Sequence, residues 1–404
     1  MMTDRKLHAH LTGSITLPIF QSIWQQRVDT EAGFDLPPPD QVLGNGAGQS
    51  VSTFFPLFNT YLYSLISSLP YLLTALQSVL ETFQSDNVIY LELRTTPRSL
   101  RPHSASEVIS AISQQIQEWN VSQLMWTGLI LSIDRSKHSI SEAWGILNLA
   151  LDLRSRGYPI VGLDLGGNPI KGDVKIYREI FEAAKREGLG LTLHFGEIEG
   201  RDEEQSEMLS WEPDRLGHVI WVKEEMKRKL VEMDIGVEMC LSCNVLAGLL
   251  PPISTPIRNT KEMTVRSSAN AEMDASAGNE YELEGLMKGD QDSFDVGNIS
   301  AKEESSKMEE DDRQESYEAQ YTSHHFGQWW FLPNSISINT DDLGIFHSIS
   351  SSEHFLACKH FHLSRVDLVR LSRRALKGVF GPTEVVDLVE RRLSEFEQEE
   401  GIPS

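Results

Sequence analysis

The chain has 404 residues, is 40% hydrophobic and carries a formal net charge of -23 at pH 7. That acidity argues against nucleic acid or an anionic membrane surface as the main partner, while leaving room for a small phosphorylated ligand in a local pocket. Three cysteines (Cys240, Cys243, Cys358) are too few for a disulfide framework, no run approaches the roughly 18 apolar residues of a membrane span, and M-M-T-D-R-K leads into no apolar signal region, so one large cytoplasmic domain is expected.

In chain order, Arg5 to His10 reads as a strand. His8 and His10, two apart, share one face of it and can both reach one metal ion. Leu11-Thr12-Gly13-Ser14 turns the chain into a helix near Pro18. Residues 29–52, with P-P-P-D and G-N-G-A-G, read as a loop. The apolar, aromatic stretch 54–69 reads mainly as core, or else as a lid. Tyr71 to Ser85 is a predicted helix. Val88 to Leu93 is a predicted strand ending in Arg94-Thr95-Thr96-Pro97-Arg98. Ser104 and Glu107 form a capping box for a helix to Trp119.

The alternation then repeats. Strands are expected at Leu124–Ile133, Ile160–Leu165, Leu191–His194, Arg215–His218, Gly236–Met239 and Ser335–Asn339. Helices are expected at Ser139–Arg156, Lys171–Glu187 and 223–233, and after the last strand at Ser351–Phe361, Arg365–Lys377 and Glu384–Gln398. Eight β units with helices between most of them and no hairpin signals predict a parallel (β/α)8 barrel. Residues 254–320 break the pattern. Within 258–320 there are 7 Lys+Arg against 17 Asp+Glu, and few aromatics. The expectation is a disordered acidic surface insertion between the last two strands. The barrel domain would then comprise 1–253 and 321–404.

In such a barrel the chemistry lies at the C-terminal ends of the strands. His8 and His10 fall there after strand 1, His194 after strand 5, His218 after strand 6, and Asp341 and Asp342 after strand 8. Three histidines and one aspartate form a nitrogen and oxygen donor set suited to one zinc ion per chain. Glu197, three residues after His194 in H-F-G-E, can carry a proton. His218 can hold or deprotonate a water, and Asp342 can orient it. Each of these residues has an ordinary structural explanation when taken alone: Asp341-Asp342 as a helix cap, His218 as a core histidine. Their joint placement at one barrel mouth favours the site.

H-A-H-L-T-G-S, L-D-L-G-G-N-P, H-F-G-E, D-R-L-G-H and N-T-D-D-L-G, in that order, resemble the motifs of the adenosine and AMP deaminase family of metal-dependent hydrolases. Y-L-E-L-R-T-T-P-R, G-G-N-P and H-H-F-G are similar to its N6-methyl-AMP deaminase branch. The resemblance implies zinc on His8, His10, His194 and Asp341, and proton donation by Glu197 to purine N1. It implies that His218 and Asp342 assist the attacking oxygen. It places His10, Thr12, Thr95, Thr96, Pro97, Arg98, Asp134, Gly167 and Asp342 along the substrate, with Gly167 on the base. Nucleoside deaminases of the family carry Asp where this chain has Thr12. A carboxylate there would repel a 5′-phosphate, so a small purine nucleotide is the expected substrate, N6-methyl-AMP giving IMP and methylamine. Arg5-Lys6 stand where the family usually has an apolar and an acidic residue.

The alternatives are an adenosine deaminase, a cyclic amide hydrolase of the same barrel type, and a barrel without catalysis that serves as a binding protein. The set Glu197, His218 and Asp341-Asp342 argues against the last two. Zinc deaminases of the H-x-E and P-C-x-x-C type do not fit, because Met239 precedes Cys240-Leu241-Ser242-Cys243. That C-x-x-C reads as a strand end with two small residues. A monomer is expected.

Overall fold

The computed structural model describes residues 4–44, 51–252 and 314–402. Eight strands form one sheet in sequential order: β1 (Asp4–His10), β2 (Val88–Thr95), β3 (Trp126–Asp134), β4 (Ile160–Gly166), β5 (Gly190–Phe195), β6 (Arg215–His218), β7 (Gly236–Met239) and β8 (Ile336–Ile338). Every neighbouring pair is parallel. The two edges then meet. Ala9 bridges Asp341, the Asp341 N–H donates to the His8 carbonyl at 3.1 Å, and the His10 N–H donates to the Asp341 carbonyl at 3.0 Å. The architecture is the expected (β/α)8 barrel, and the stretch from 253 to 313 falls between β7 and β8.

β8 is shorter than its sequence suggests: Asn339 still donates its N–H to the Met239 carbonyl of β7 at 2.7 Å, but toward β1 its side chain takes the place of the main chain. Its Oδ1 accepts from the N–H groups of Leu7 at 2.9 Å and His8 at 3.2 Å, so a side chain replaces the carbonyl a longer strand would offer. β3 starts two residues later than expected for a similar reason. The N–H groups of Leu124 and Met125 both donate to Gln84 Oε1 at 3.1 Å, which satisfies them outside the sheet. The helix expected over Lys171–Glu187 begins instead with a 3₁₀ turn, Val174–Tyr177, capped by the Asp173 side chain on the Lys175 N–H. It continues as an α-helix over Arg178–Arg186. Ser104 and Glu107 form the capping box read from the sequence.

Apolar packing lies between strands and outer helices. Leu7 and Tyr90 pack under Val385, Val389 and Leu393 of the terminal helix Thr383–Glu400. Each such buried side chain contributes about 1.5–3 kcal/mol relative to exposure. A layer of charged groups lies among the strands. The Arg94 guanidinium is 2.5 Å from Glu238 and 3.2 Å from Asp164, while Arg215 donates to Glu92 and, at 2.6 Å, to Glu238. All five side chains are buried. Losing one partner would strand an uncompensated charge at a cost of about 3–5 kcal/mol.

Most of the acidic insertion expected over 254–320 lies outside the described residues. Its end is corrected, because residues 314–322 are helical. Among the described residues no single helix is long and apolar enough to cross a membrane.

Candidate active site

The closure that completes the barrel also builds the centre of the site. His8 and His10 point to one face of β1, and pairing Asp341 between them delivers a carboxylate to the same point. Oδ1 of Asp341 lies 3.2 Å from His8 Nε2 and 3.3 Å from His10 Nε2. From the end of β5, His194 brings its Nε2 to 3.1 Å from His10 Nε2, and the Nε2 atoms of His8 and His10 are 3.3 Å apart. A tetrahedron of ligands about 2.0–2.1 Å from a zinc ion has edges of about 3.3 Å, so these spacings fit one ion. His218 Nε2 reaches only the other oxygen of Asp341, at 3.8 Å. His8, His194, His218 and Asp341 also group within 4.8 Å of one another, and can hold a metal. His10 makes the shorter contacts to the shared oxygen, so the tighter quartet contains His10 and leaves His218 at its edge.

Three of the four imidazoles are held from behind. His8 Nδ1 lies 2.8 Å from Glu238 of β7. His194 Nδ1 lies 3.1 Å from Asp164 of β4 and 3.2 Å from the Leu165 carbonyl. His218 Nδ1 lies 2.9 Å from the Asn244 amide. Partners on Nδ1 leave Nε2 free to face a ligand. Asp164, Glu238 and Asn244 were not identified from the sequence. Carboxylates inside the apolar strands L-D-L and V-E-M were the available signal, since such groups are buried only with partners.

The electrostatics follow from burial and these contacts. Burial lowers His10 and His218 to about 3 despite the Asp341 charge. Burial opposes protonation of His194 too, but Asp164 overrides it and the pKa rises to about 9. Glu197 is pushed up to about 7, chiefly by burial. In the adjacent pair, the surrounding histidines overcome burial to hold Asp341 well below the usual carboxylate range. Burial and the Asp341 charge raise Asp342 well above it.

These groups open into a cavity of about 340 Å³, within the size range of small-molecule sites. His10, His194, Glu197, His218, Asp341 and Asp342 line it, together with Thr96, Asp134 and Gly167. Two glycines are required here. A Cβ on Gly13 would sit 1.5 Å from Asp342 Oδ1, and one on Gly167, at φ +92°, would sit 2.2 Å from Asp134 Oδ1. Asp134 Oδ1 accepts from the Ser136 N–H at 2.9 Å and its hydroxyl at 2.6 Å, and Oδ2 pairs with Lys137 at 2.9 Å.

Not every expected contact reaches the wall. Thr12 is half-buried in the turn after β1, and neither it nor Thr95, Pro97 or Arg98 lines the cavity. Arg98 is committed elsewhere: it donates to the Ile66 carbonyl at 2.9 Å and lies over the Tyr63 ring, 4.5 Å from its centroid. Lys137 and Lys171, which belong to no motif in the sequence, line the cavity. The aromatic stretch expected mainly as core lines it too. The helix Val51–Leu57, which contains Pro56, runs into a π-helical turn at Phe58–Leu62, and Phe54, Phe55, Phe58 and Tyr63 form part of the wall. π-turns recur at functional sites. Cys243 is not merely a small residue at a strand end. It lies in the helix Leu241–Leu246 and lines the cavity, and burial together with the nearby Asp341 charge raises its thiol well above the ordinary range.

The fold and this donor cluster define an enzyme of the barrel type whose C-terminal mouth can hold a metal ion beside a buried acid. A family profile described as Adenosine deaminase matches residues 4–301. The chain belongs to the adenosine deaminase family and is a deaminase. Among its relatives, the N6-methyl-AMP deaminase of Danio rerio is 25% identical, the match spanning 98% of this chain and 95% of the relative. The N6-mAMP deaminase of Arabidopsis thaliana is 26% identical over 94% of this chain and 93% of its own. The solved Arabidopsis N6-mAMP deaminase superposes with a TM-score of 0.74 at 24% identity, covering 98% of each chain. An Arabidopsis structure complexed with IMP gives 0.75 at the same identity and coverage.

Proposed function

We propose that this deaminase is zinc-dependent and removes the C6 amine of an adenine nucleotide, N6-methyl-AMP being the substrate that yields IMP and methylamine. The observation that carries the reading is Glu197, a buried acid in the wall shared with the His8, His10, His194 and Asp341 cluster. The donor set of three imidazoles and one carboxylate suits zinc, and Asp342 Oδ1, buried without a partner among the described residues, is free for a ligand. Zinc held there would lower the pKa of a water to about 7 and so supply a nucleophile at neutral pH.

The chain's own groups do the rest. Glu197, with its pKa raised to about 7, is substantially protonated at neutral pH and delivers that proton to purine N1 as C6 is attacked. Asp342 orients the attacking oxygen. Gly167 lets the base approach the backbone beside Asp134. The aromatic wall of Phe54, Phe55 and Phe58 excludes water from the purine.

The nucleotide preference rests on charge. Lys171 and Lys137, the latter paired with Asp134, bring two cations to the cavity wall in a chain whose net charge is -23, while Thr12 leaves the turn after β1 without a carboxylate. Arg98, expected along the substrate, donates instead to the Ile66 carbonyl, so these lysines are the cations left to meet a phosphate. The identity of the relatives supports the N6-methyl group. The test is a panel of AMP, N6-methyl-AMP, adenosine and N6-methyladenosine with the product mass measured. The highest kcat/KM should fall to N6-methyl-AMP; preference for either nucleoside would overturn the reading.

A further inference from the structure

We propose that His324 and His325 are positioning residues that fix His218 as the tautomer protonated on Nε2, so that it offers an N–H to the reacting centre. One donor in this network can point only one way. The backbone N–H of Phe326 donates to Nδ1 of His324 at 3.0 Å. That nitrogen must therefore carry a lone pair. His324 is buried, and burial drives its pKa well below the ordinary value, so the ring is neutral. A neutral imidazole accepting on Nδ1 bears its proton on Nε2.

The Asn244 side chain spans the gap between the two rings, its ends 3.1 Å from Nε2 of His324 and 2.9 Å from Nδ1 of His218. The two ends of an amide are alike in shape, so the hydrogen-bond network assigns them. With the amide nitrogen toward His324, as placed, two N–H donors confront each other. The fixed Phe326 donor calls for the reverse: oxygen toward His324 and NH₂ toward His218. His218 Nδ1 then accepts, and its proton sits on Nε2, the atom that lies 3.8 Å from Asp341 Oδ2 in the cavity wall.

His325 holds the backbone of the same residue. Its ring nitrogen Nε2 donates to the His218 carbonyl at 2.6 Å. His218 and Val219 have φ of +66° and +47°, conformations that L residues hold only when their surroundings impose them. The tandem histidines, stacked with centroids 4.3 Å apart, thus act on His218 twice: on its ring through Asn244, and on its main chain directly. In the deaminase reading, His218 donates to the oxygen that adds to C6 and does not take its proton.

The tautomer can be read without turnover. The full-length, zinc-loaded chain is labelled with ¹⁵N-histidine, and long-range ¹H–¹⁵N correlations are recorded, with His218 assigned by its loss in His218→Gln. The expected pattern is a protonated Nε2 and an unprotonated Nδ1. Asn244→Asp places an acceptor opposite Nδ1 and should reverse the pattern, lowering kcat at least about tenfold with KM changed less than about twofold. His324→Phe frees the amide and should give a mixture of tautomers. A protonated Nδ1 in the wild type, or wild-type kcat in Asn244→Asp, would overturn the proposal. If Asn244→Asp does not fold, the wild-type spectrum alone decides. An inactive wild type on every purine tested would overturn the assigned substrate while leaving the tautomer measurement intact.

Discussion

Asp164 Oδ1 lies 3.1 Å from Nδ1 of His194, joining the middle of β4 to the end of β5 beneath the donor cluster. The same oxygen is 3.2 Å from Arg94, whose other nitrogen reaches Glu238, the partner of His8. One guanidinium therefore ties together the two carboxylates that orient two of the ligand-type imidazoles. The first prediction follows from that tie. Asp164→Asn keeps the shape but removes the charge behind His194, and zinc affinity should fall about 10–100-fold. Chelator competition followed by elemental analysis checks it; unchanged affinity would mean that His194 needs no carboxylate behind it.

His194→Ala should lose both bound zinc and turnover, because His194 Nε2 stands 3.1 Å from His10 Nε2 at the centre of the quartet. Metal content and product formation are measured on the same purified sample. A full zinc complement with full activity would place the metal elsewhere.

Glu197→Gln should retain zinc and lower kcat by roughly a hundredfold or more, since an amide fills the same space and cannot deliver the proton. The wild-type pH profile carries the sign. Burial raises the Glu197 carboxyl to about 7, so the active, protonated form is present below that pH and is lost above it. The rate should fall on the alkaline side with an apparent pKa near that value. Glu197→Gln should lack this limb in its residual rate, and a limb that persists in the variant would assign it to another group.

Lys171→Met should raise KM for the nucleotide by about tenfold, the low end of what a hydrogen bond to a charged group is worth because this lysine is exposed, and leave nucleoside kinetics unchanged. Thr12→Asp should depress nucleotide turnover by introducing a carboxylate on the turn after β1. Steady-state kinetics on AMP-type and adenosine-type substrates separate the two effects. Equal losses on both substrate types would point to general damage and not to phosphate recognition.

The barrel was legible because its strands are buried on both faces and end at turn residues, and β6 and β7 match the expected boundaries residue for residue. The chemistry-bearing types were legible too, as H-x-H, H-F-G-E and T-D-D each lie at a strand end, where this architecture gathers its loops. Boundaries failed where a side chain took over a backbone bond, as Gln84 does before β3 and Asn339 after β8.

Local pattern carries no information about partners that meet only through space. That Asp164 backs His194, Glu238 backs His8, and Asn244 links His218 to a histidine 80 residues further on is decided by strand register and barrel closure. The same limit explains Arg98. The resemblance put it along the substrate, but folding places the Tyr63 ring and the Ile66 carbonyl within its reach, and the guanidinium binds those. Lys137 and Lys171, unremarkable in sequence, reach the cavity because the turns after β3 and β4 bring them to the same mouth. Sequence determined which chemical groups stand at the strand ends, since that depends on neighbours along the chain. Tertiary structure decided which of them face one another, since closing the barrel sets those distances.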